Sequence, residues 1–208
     1  MGRRFPQGCL RGCRWSTAKP SLAGTPARKY HIGDSCLISP RMDVAAFIRA
    51  RFLPLAERIS RRFGYSTILY ARSGYDAVCV ERLDGWHPIQ VFLNKTGDRR
   101  PLGMGSATLS ILAAMPEDEA EMILTHNEQE IRFVLKTDFS ALRGFLAEAR
   151  RKGYASAQGM LLEGTIGVSH VLRMGNEAVG SIAIDAVRSE QWDKDQPKSI
   201  QELQSALS

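Results

Sequence analysis

The sequence predicts an α+β fold, an antiparallel sheet with helices on its faces. Three observations predict it. An amphipathic helical pattern over residues 43–63 runs into two β-rich segments joined by a Ser73-Gly74 turn. An apolar helix then enters through Gly103-Met104-Gly105-Ser106. Two long β-rich segments close the body through Gly175-Asn176, a strong hairpin turn. The order helix, hairpin and strand, helices, hairpin, helix gives an antiparallel sheet rather than alternating βαβ units.

Each element has its own signal. Asp43 is the expected N-cap of the first helix, and Val44, Ile48, Phe52, Leu55, Ile59 and Phe63 recur at three- and four-residue intervals along one face. Pro54 should interrupt and kink it, and Gly64 should close it in a left-handed conformation. Thr67–Ala71 and Asp76–Arg82 are the strands of the first hairpin, and Ile89–Leu93 is expected as a third short strand. Ala107–Met115 is a helix, and Pro116 is expected to start the next at its first position, with Glu117, Asp118 and Glu119 at the positive end. Asp138 should cap the following helix. Phe139, Leu142, Leu146 and Ala149 form its stripe, Arg150, Arg151 and Lys152 complement its dipole, and Gly153 stops it. Gly167–Met174 and Ala178–Asp185 are the closing strands, and residues 197–208 form a final helix.

Composition narrows the function class. The chain has 208 residues, 44% of them hydrophobic and 24% charged, which is the make-up of a globular domain. No apolar run approaches the ~20 residues of a membrane span, so a membrane partner is not expected and the expected location is the cytoplasm. The net charge of +6 is a local property. Residues 1–31 contain seven basic side chains and no acid, leaving the body near neutrality without the charge signature of a nucleic-acid surface. Residues 1–28 are rich in Gly, Pro, Ser, Thr and Arg and lack periodicity, as expected of a basic disordered arm. A transit peptide, a nucleic-acid-touching arm and a non-native segment all suit that composition, and the non-native reading is preferred. Cys9, Cys13, Cys36 and Cys79 have neither zinc-finger nor disulfide-framework spacing, so no metal or cofactor is expected, and Cys79 reads as a buried free thiol.

The chemistry-bearing feature is the loop before the Ala107 helix. A glycine-rich turn at a helix start offers free N–H groups at the positive end of the dipole, suited to a small anion. The N–H groups of Gly105, Ser106 and Ala107 are expected to face a ligand and Met104 to pack on it; a structural helix entry is the alternative. Ser169 and Ser181 lie on the closing strands and are candidate wall residues. His170 is expected to be a hydrogen-bonded structural histidine, and Trp86 either a loop anchor or an interface residue. The other histidines are dispersed, and neither a nucleophile elbow nor a P-loop is present, so no catalytic residue is nominated and an enzyme is not expected.

Several segments together resemble the IclR-type bacterial transcription regulators, over residues 29–190. Arg100-Pro-Leu-Gly-Met-Gly-Ser-Ala107, followed by an apolar helix and Pro116-Glu117-Asp118, is similar to the family's loop over its effector pocket. Lys29-Tyr30-His31-Ile32-Gly33 resembles the last wing strand of its winged helix. The 43–63 helix resembles its linker helix, and Asp76–Gly85 resembles the strand ending in acidic-Arg-x-x-Gly. Arg151-Lys-Gly-Tyr-Ala155 and Glu163-Gly-Thr-Ile-Gly-Val168 are similar to its later turn and closing strand. The resemblance implies a GAF-like fold around one small-molecule pocket and assembly as a homodimer or homotetramer. It adds Gly167, Ala183 and Asp185 to the expected wall, at positions where members have a cysteine or small polar residues. Gly103 stands where many members have His, and Thr108-Leu109 where they have Gly-Lys.

The resulting expectation is a transcription regulator that binds a small effector, an organic acid or aromatic metabolite. Residues 1–28 are the arm, 29–42 a remnant of wing strand and linker, and 43–208 the effector-binding and oligomerisation domain. Neither helix of a helix-turn-helix is visible upstream, so no DNA-binding residue is assigned, and DNA is an expected partner only if the winged helix is restored. The alternative is a stand-alone metabolite-binding or dominant-negative partner protein without direct DNA binding.

Overall fold

The computed structural model describes residues 43–135 and 139–207. The expected arm, the wing-strand remnant and the Asp138 cap lie outside the described residues. The order is α1 (Val44–Phe63), β1 (Ser66–Ser73), β2 (Asp76–Leu83), β3 (Arg99–Pro101), α2 (Ser106–Ala113), α3 (Glu117–Leu135), α4 (Phe139–Lys152), β4 (Ala155–Gln158), β5 (Thr165–Met174), β6 (Glu177–Val187) and α5 (Glu190–Leu207). The strands form one six-stranded antiparallel sheet, β3-β2-β1-β6-β5-β4.

Helices cover both faces because the strands are apolar on both sides. The cluster on one face joins Ile68, Tyr70, Cys79 and Ala183 to Ile111 and Leu112 of α2, Ile123 and Leu124 of α3, and Leu142 and Leu146 of α4. On the other face Leu69, Val168, Ile182 and Ile184 meet Ile48, Leu55 and Ile59 of α1 and Trp192 and Leu203 of α5. Alternate strand residues therefore serve different layers. No helix among the described residues is long and apolar enough to cross a membrane.

α1 begins as its sequence suggests. Asp43 Oδ1 accepts from the Ala45 N–H at 3.0 Å, and Gly64 closes the helix at φ 78°. Pro54 does not interrupt it. The residue lies on the exposed face, as does Ala50, whose carbonyl loses its helical donor and is open to water instead. Pro116 precedes α3 in the cap position rather than at its first turn, its carbonyl accepting from Ala120 at 3.0 Å. Gly153, at φ 76°, ends α4.

Two further expectations need correction, and one strand was not foreseen. Ile89–Leu93 is irregular, and the third strand is Arg99–Pro101, paired with Asp76–Val78. The 84–94 segment is held by side chains instead. Gln90 Nε2 donates to the carbonyls of Gly64 and His87, Arg82 Nη1 donates to the Asn94 carbonyl, and Pro88 has no N–H for a ladder. The final helix starts at Glu190, well before residue 197. Ser189 Oγ accepts from the Trp192 N–H at 3.1 Å as an N-cap, and Trp192 is completely buried, so packing draws the first turns into the helix. The Arg151–Ala155 turn leads into an extra edge strand, β4, paired with Ile166–Ser169.

Candidate functional site

A concavity lies between the start of α2 and the β6-β5 end of the sheet. It holds a cavity of about 30 Å³, room for little more than a water molecule. Its wall includes Met104, Gly105, Ser106, Ala107, Gly167 and Asp185 of the sequence-nominated residues. It also includes Tyr70, Arg100, Met160 and Leu161, which the sequence reading did not nominate.

Backbone geometry shapes the loop. Gly103 and Gly105 sit at φ 114° and 86°, in the region that favours glycine, and turn the chain sharply into α2. Thr108 Oγ1 accepts from the Gly103 N–H and donates to the Gly105 carbonyl, both at 3.2 Å, clamping the turn. α2 has no side-chain cap. Leu109 makes its first helical bond, to the Gly105 carbonyl, so the N–H groups of Ser106 and Ala107 have no acceptor among the described residues. The Gly105 N–H is not free. It meets the thioether sulfur of Met160 at 3.2 Å, a weak acceptor.

Gly167 on β5 stands opposite Asp185 on β6. A Cβ at 167 would lie 2.5 Å from Ser106 Oγ and 2.7 Å from Asp185 Oδ1, so glycine here lets both polar atoms converge on one small space. Asp185 accepts no hydrogen bond and makes no ion pair among the described residues. Burial pushes its carboxyl up to about 6, opposed in part by the guanidinium groups of Arg100 and Arg82. Arg100 gives Nη2 to the Leu93 carbonyl and to Asn94 Oδ1. Its Nη1 has no partner among the described residues and lies 3.6 Å from where a Gly105 Cβ would stand. Tyr70 pairs with Ser181 across the β1-β6 ladder. Its phenol is raised well above its ordinary range by burial and then by the Asp185 charge, and it makes no hydrogen bond among the described residues.

Ser169, Ser181 and Ala183 are not on the cavity wall. Strand alternation puts them on the same face as Gly167 and Asp185, but α2 lies over the middle of that face and buries them completely. Ser169 Oγ donates to the Ser106 carbonyl at 2.6 Å and so fixes the helix entry. Ser181 Oγ has no partner among the described residues. Arg100 stood in the quoted loop motif, and its position as a cation just before the glycine turn was the available signal. Tyr70 and Met160 reach the cavity through long-range packing, which no local pattern encodes.

Other candidates resolve differently. His170 is half-buried, with Nδ1 3.0 Å from the Val171 carbonyl, and burial holds its ring below the ordinary histidine range. Trp86 is a loop anchor. Its Nε1 donates to the Arg61 carbonyl at 2.8 Å, and its ring lies against Gly64, where a Cβ would come within 2.7 Å. Cys79 is a buried free thiol, pushed up to about 11 by burial. No group of three or more metal-ligating side chains occurs among the described residues.

A family model for the bacterial transcriptional regulator IclR C-terminal domain matches residues 43–207. The chain is 27% identical over 92 residues to the HTH-type transcriptional regulator KipR of Bacillus subtilis, a match covering 44% of this chain and 35% of that regulator's length. The fold is similar to that of the Thermotoga maritima IclR, with a TM-score of 0.66 and 20% identity over 80% of this chain and 66% of that one. It is also similar to an IclR homolog of Microbacterium hydrocarbonoxydans solved in complex with 4-hydroxybenzoate. That likeness has a TM-score of 0.62 and 25% identity over 85% of this chain and 75% of that one.

Proposed function

Because this chain belongs to the IclR family of bacterial transcriptional regulators, through the C-terminal domain matched over residues 43–207, we propose that the domain senses a small organic acid or aromatic metabolite in the cavity at the start of α2. Met104, Gly105, Ser106, Ala107, Gly167 and Asp185 contact the effector, joined by Tyr70 and Arg100. Ser169, Ser181 and Ala183 support the wall from beneath.

The single observation that carries the reading is the set of unpaired polar groups around an otherwise apolar cavity. The Ser106 and Ala107 N–H groups, Arg100 Nη1 and the Asp185 carboxylate belong to residues that line it, and none has a partner among the described residues. Buried polar groups cost stability unless paired, so a cluster left unpaired at one concave site suits a ligand. The M. hydrocarbonoxydans relative with 4-hydroxybenzoate supports a ligand of that kind.

The cavity is too small for an aromatic ring as it stands, so binding requires Met160 and Leu161 to move outward. Such a change transmits a signal only if the effector binds the widened form more tightly than the narrow one. The receiver in the proposal is a DNA-binding module, with the domain assembled as a homodimer or homotetramer.

Thermal unfolding of the chain with millimolar 4-hydroxybenzoate, benzoate, butyrate and pyruvate tests the reading. A ligand at about 100-fold above its Kd stabilises by ~2.7 kcal/mol, so a rise of several degrees with at least one acid is expected. No shift with any of them would count against a carboxylate-sensing cavity.

A further inference from the structure

Asp185 sets a requirement on the ligand that goes beyond acidity. Its carboxylate is the one charged acceptor on the cavity wall, and no donor of the protein engages it among the described residues. Arg100 and Arg82 are the cations whose charge acts on it, but neither makes an ion pair with it among the described residues. The Arg100 guanidinium is turned to Leu93 and Asn94 on one side and to Gly105 on the other. Asp185 Oδ1 instead lies beside Ser106 Oγ over Gly167. Arg100 thus stands by Gly105 and Asp185 by Gly167, both at the start of α2.

The other polar groups of the lining side chains and of the helix start can donate: Arg100 Nη1, the Ser106 and Ala107 N–H groups, and the hydroxyls of Ser106 and Tyr70, while the Thr165 hydroxyl is already given to the Leu162 carbonyl. An ionised Asp185 can only accept. A simple carboxylic acid would satisfy the donors and leave Asp185 unpaired beside a second negative charge. A ligand carrying both an acid and a donor satisfies both sets at once. Between them the wall is apolar, with Val91, Leu93, Met104, Met160, Leu161 and Ile166.

Resting on the effector reading above, we infer that this site selects a carboxylic acid bearing a hydroxyl or amino group. Its acid is held by Arg100 and the first N–H groups of α2, and its donor hydrogen-bonds to the Asp185 carboxylate. The body between the two groups packs on the apolar wall. Asp185 is therefore a specificity-determining residue, and its unpaired charge is the feature that rejects plain acids.

Calorimetric titration of the 208-residue chain at pH 8, where Asp185 is ionised, tests this with matched probes. The pairs are benzoate against 3- and 4-hydroxybenzoate, and butyrate against 3-hydroxybutyrate. A hydrogen bond to a charged group gives the hydroxylated member an advantage of about ten-fold or more in at least one pair. In Asp185→Ala the advantage disappears, because the plain acid gains and the hydroxy acid loses. Arg100→Gln weakens both members of a pair alike. A thermal melt of each variant shows that it folds, and Asp185→Ala, which removes an unpaired charge, is expected to melt no lower than the parent. Equal affinities within every pair, or a preference that survives Asp185→Ala, would overturn the role of Asp185 and leave the sensor reading standing. No binding of any probe to the unmodified chain would overturn both.

Discussion

The hydroxyl of Ser169 on β5 donates a 2.6 Å hydrogen bond to the carbonyl of Ser106, the first residue of α2. Through this bond a fully buried strand residue holds the helix start at the lip of the cavity. Ser169→Ala is expected to cost about 1 kcal/mol, the worth of a typical hydrogen bond whose acceptor keeps a helical partner. It should also weaken effector affinity several-fold by loosening the N–H groups of Ser106 and Ala107. Urea unfolding and ligand titration of the same variant check both parts, and a stability loss without any change in affinity would detach Ser169 from the site.

Gly167 leaves room for Ser106 Oγ and Asp185 Oδ1, both of which a Cβ would approach within 2.7 Å. Gly167→Ala therefore overpacks the cavity, with an expected cost of about 1–3 kcal/mol, and should abolish ligand-induced stabilisation. A variant that melts lower but keeps the full ligand shift would show that the effector binds elsewhere.

Asp185 opposes folding when it is ionised. Its carboxyl is raised from an ordinary 3.8 to about 6 by burial, so the folded chain binds this proton more tightly than the unfolded chain does. The cost is absent below about pH 4, grows as the pH rises towards 6, and is complete above it. Asp185→Asn should therefore gain on the parent chain by about 1–2 kcal/mol between pH 4.5 and pH 8. Paired denaturant melts at the two pH values measure that gain. A difference between variant and parent that is constant with pH would mean that Asp185 is not the titrating group.

Trp192 is fully buried where α5 meets the sheet, although its Nε1 has no partner among the described residues. Trp192→Ala should cost about 3–5 kcal/mol through the cavity it leaves. Trp192→Phe should cost much less, because it removes an unsatisfied N–H along with part of the ring. Chemical unfolding of the two variants checks the ordering, and equal losses would show that ring volume alone sets the cost.

Much of the fold was legible because local and global signals agree. The α1 stripe, its Asp43 cap and Gly64 stop, the α4 stripe and the Gly175-Asn176 hairpin are each specified by residues close in sequence. What was not legible depends on distant partners. Ile89–Leu93 has strand-forming residues, yet the β2 edge is taken by Arg99–Pro101, a three-residue strand with no apolar pattern of its own. The first turns of α5 are drawn in by the burial of Trp192. At the site, the Gly103–Ala107 entry and the strand carrying Asp185 were readable from turn chemistry and resemblance. Alternation places Ser169, Ser181 and Ala183 on one face without saying which, and only the packing of α2 decides which part of that face stays open.

The central claim is that a carboxylate ligand enters the cavity between the start of α2 and the β5-β6 pair. Amide chemical shifts of the isotope-labelled chain, followed during titration with 4-hydroxybenzoate, test it residue by residue. The expected result is a saturable set of shifts centred on Gly105, Ser106, Ala107 and Gly167, extending to Met160 and Leu161 as they move. Shifts centred instead on the cleft of Tyr154, His170 and Arg173, or on the His126–Phe133 surface of α3, would contradict the account.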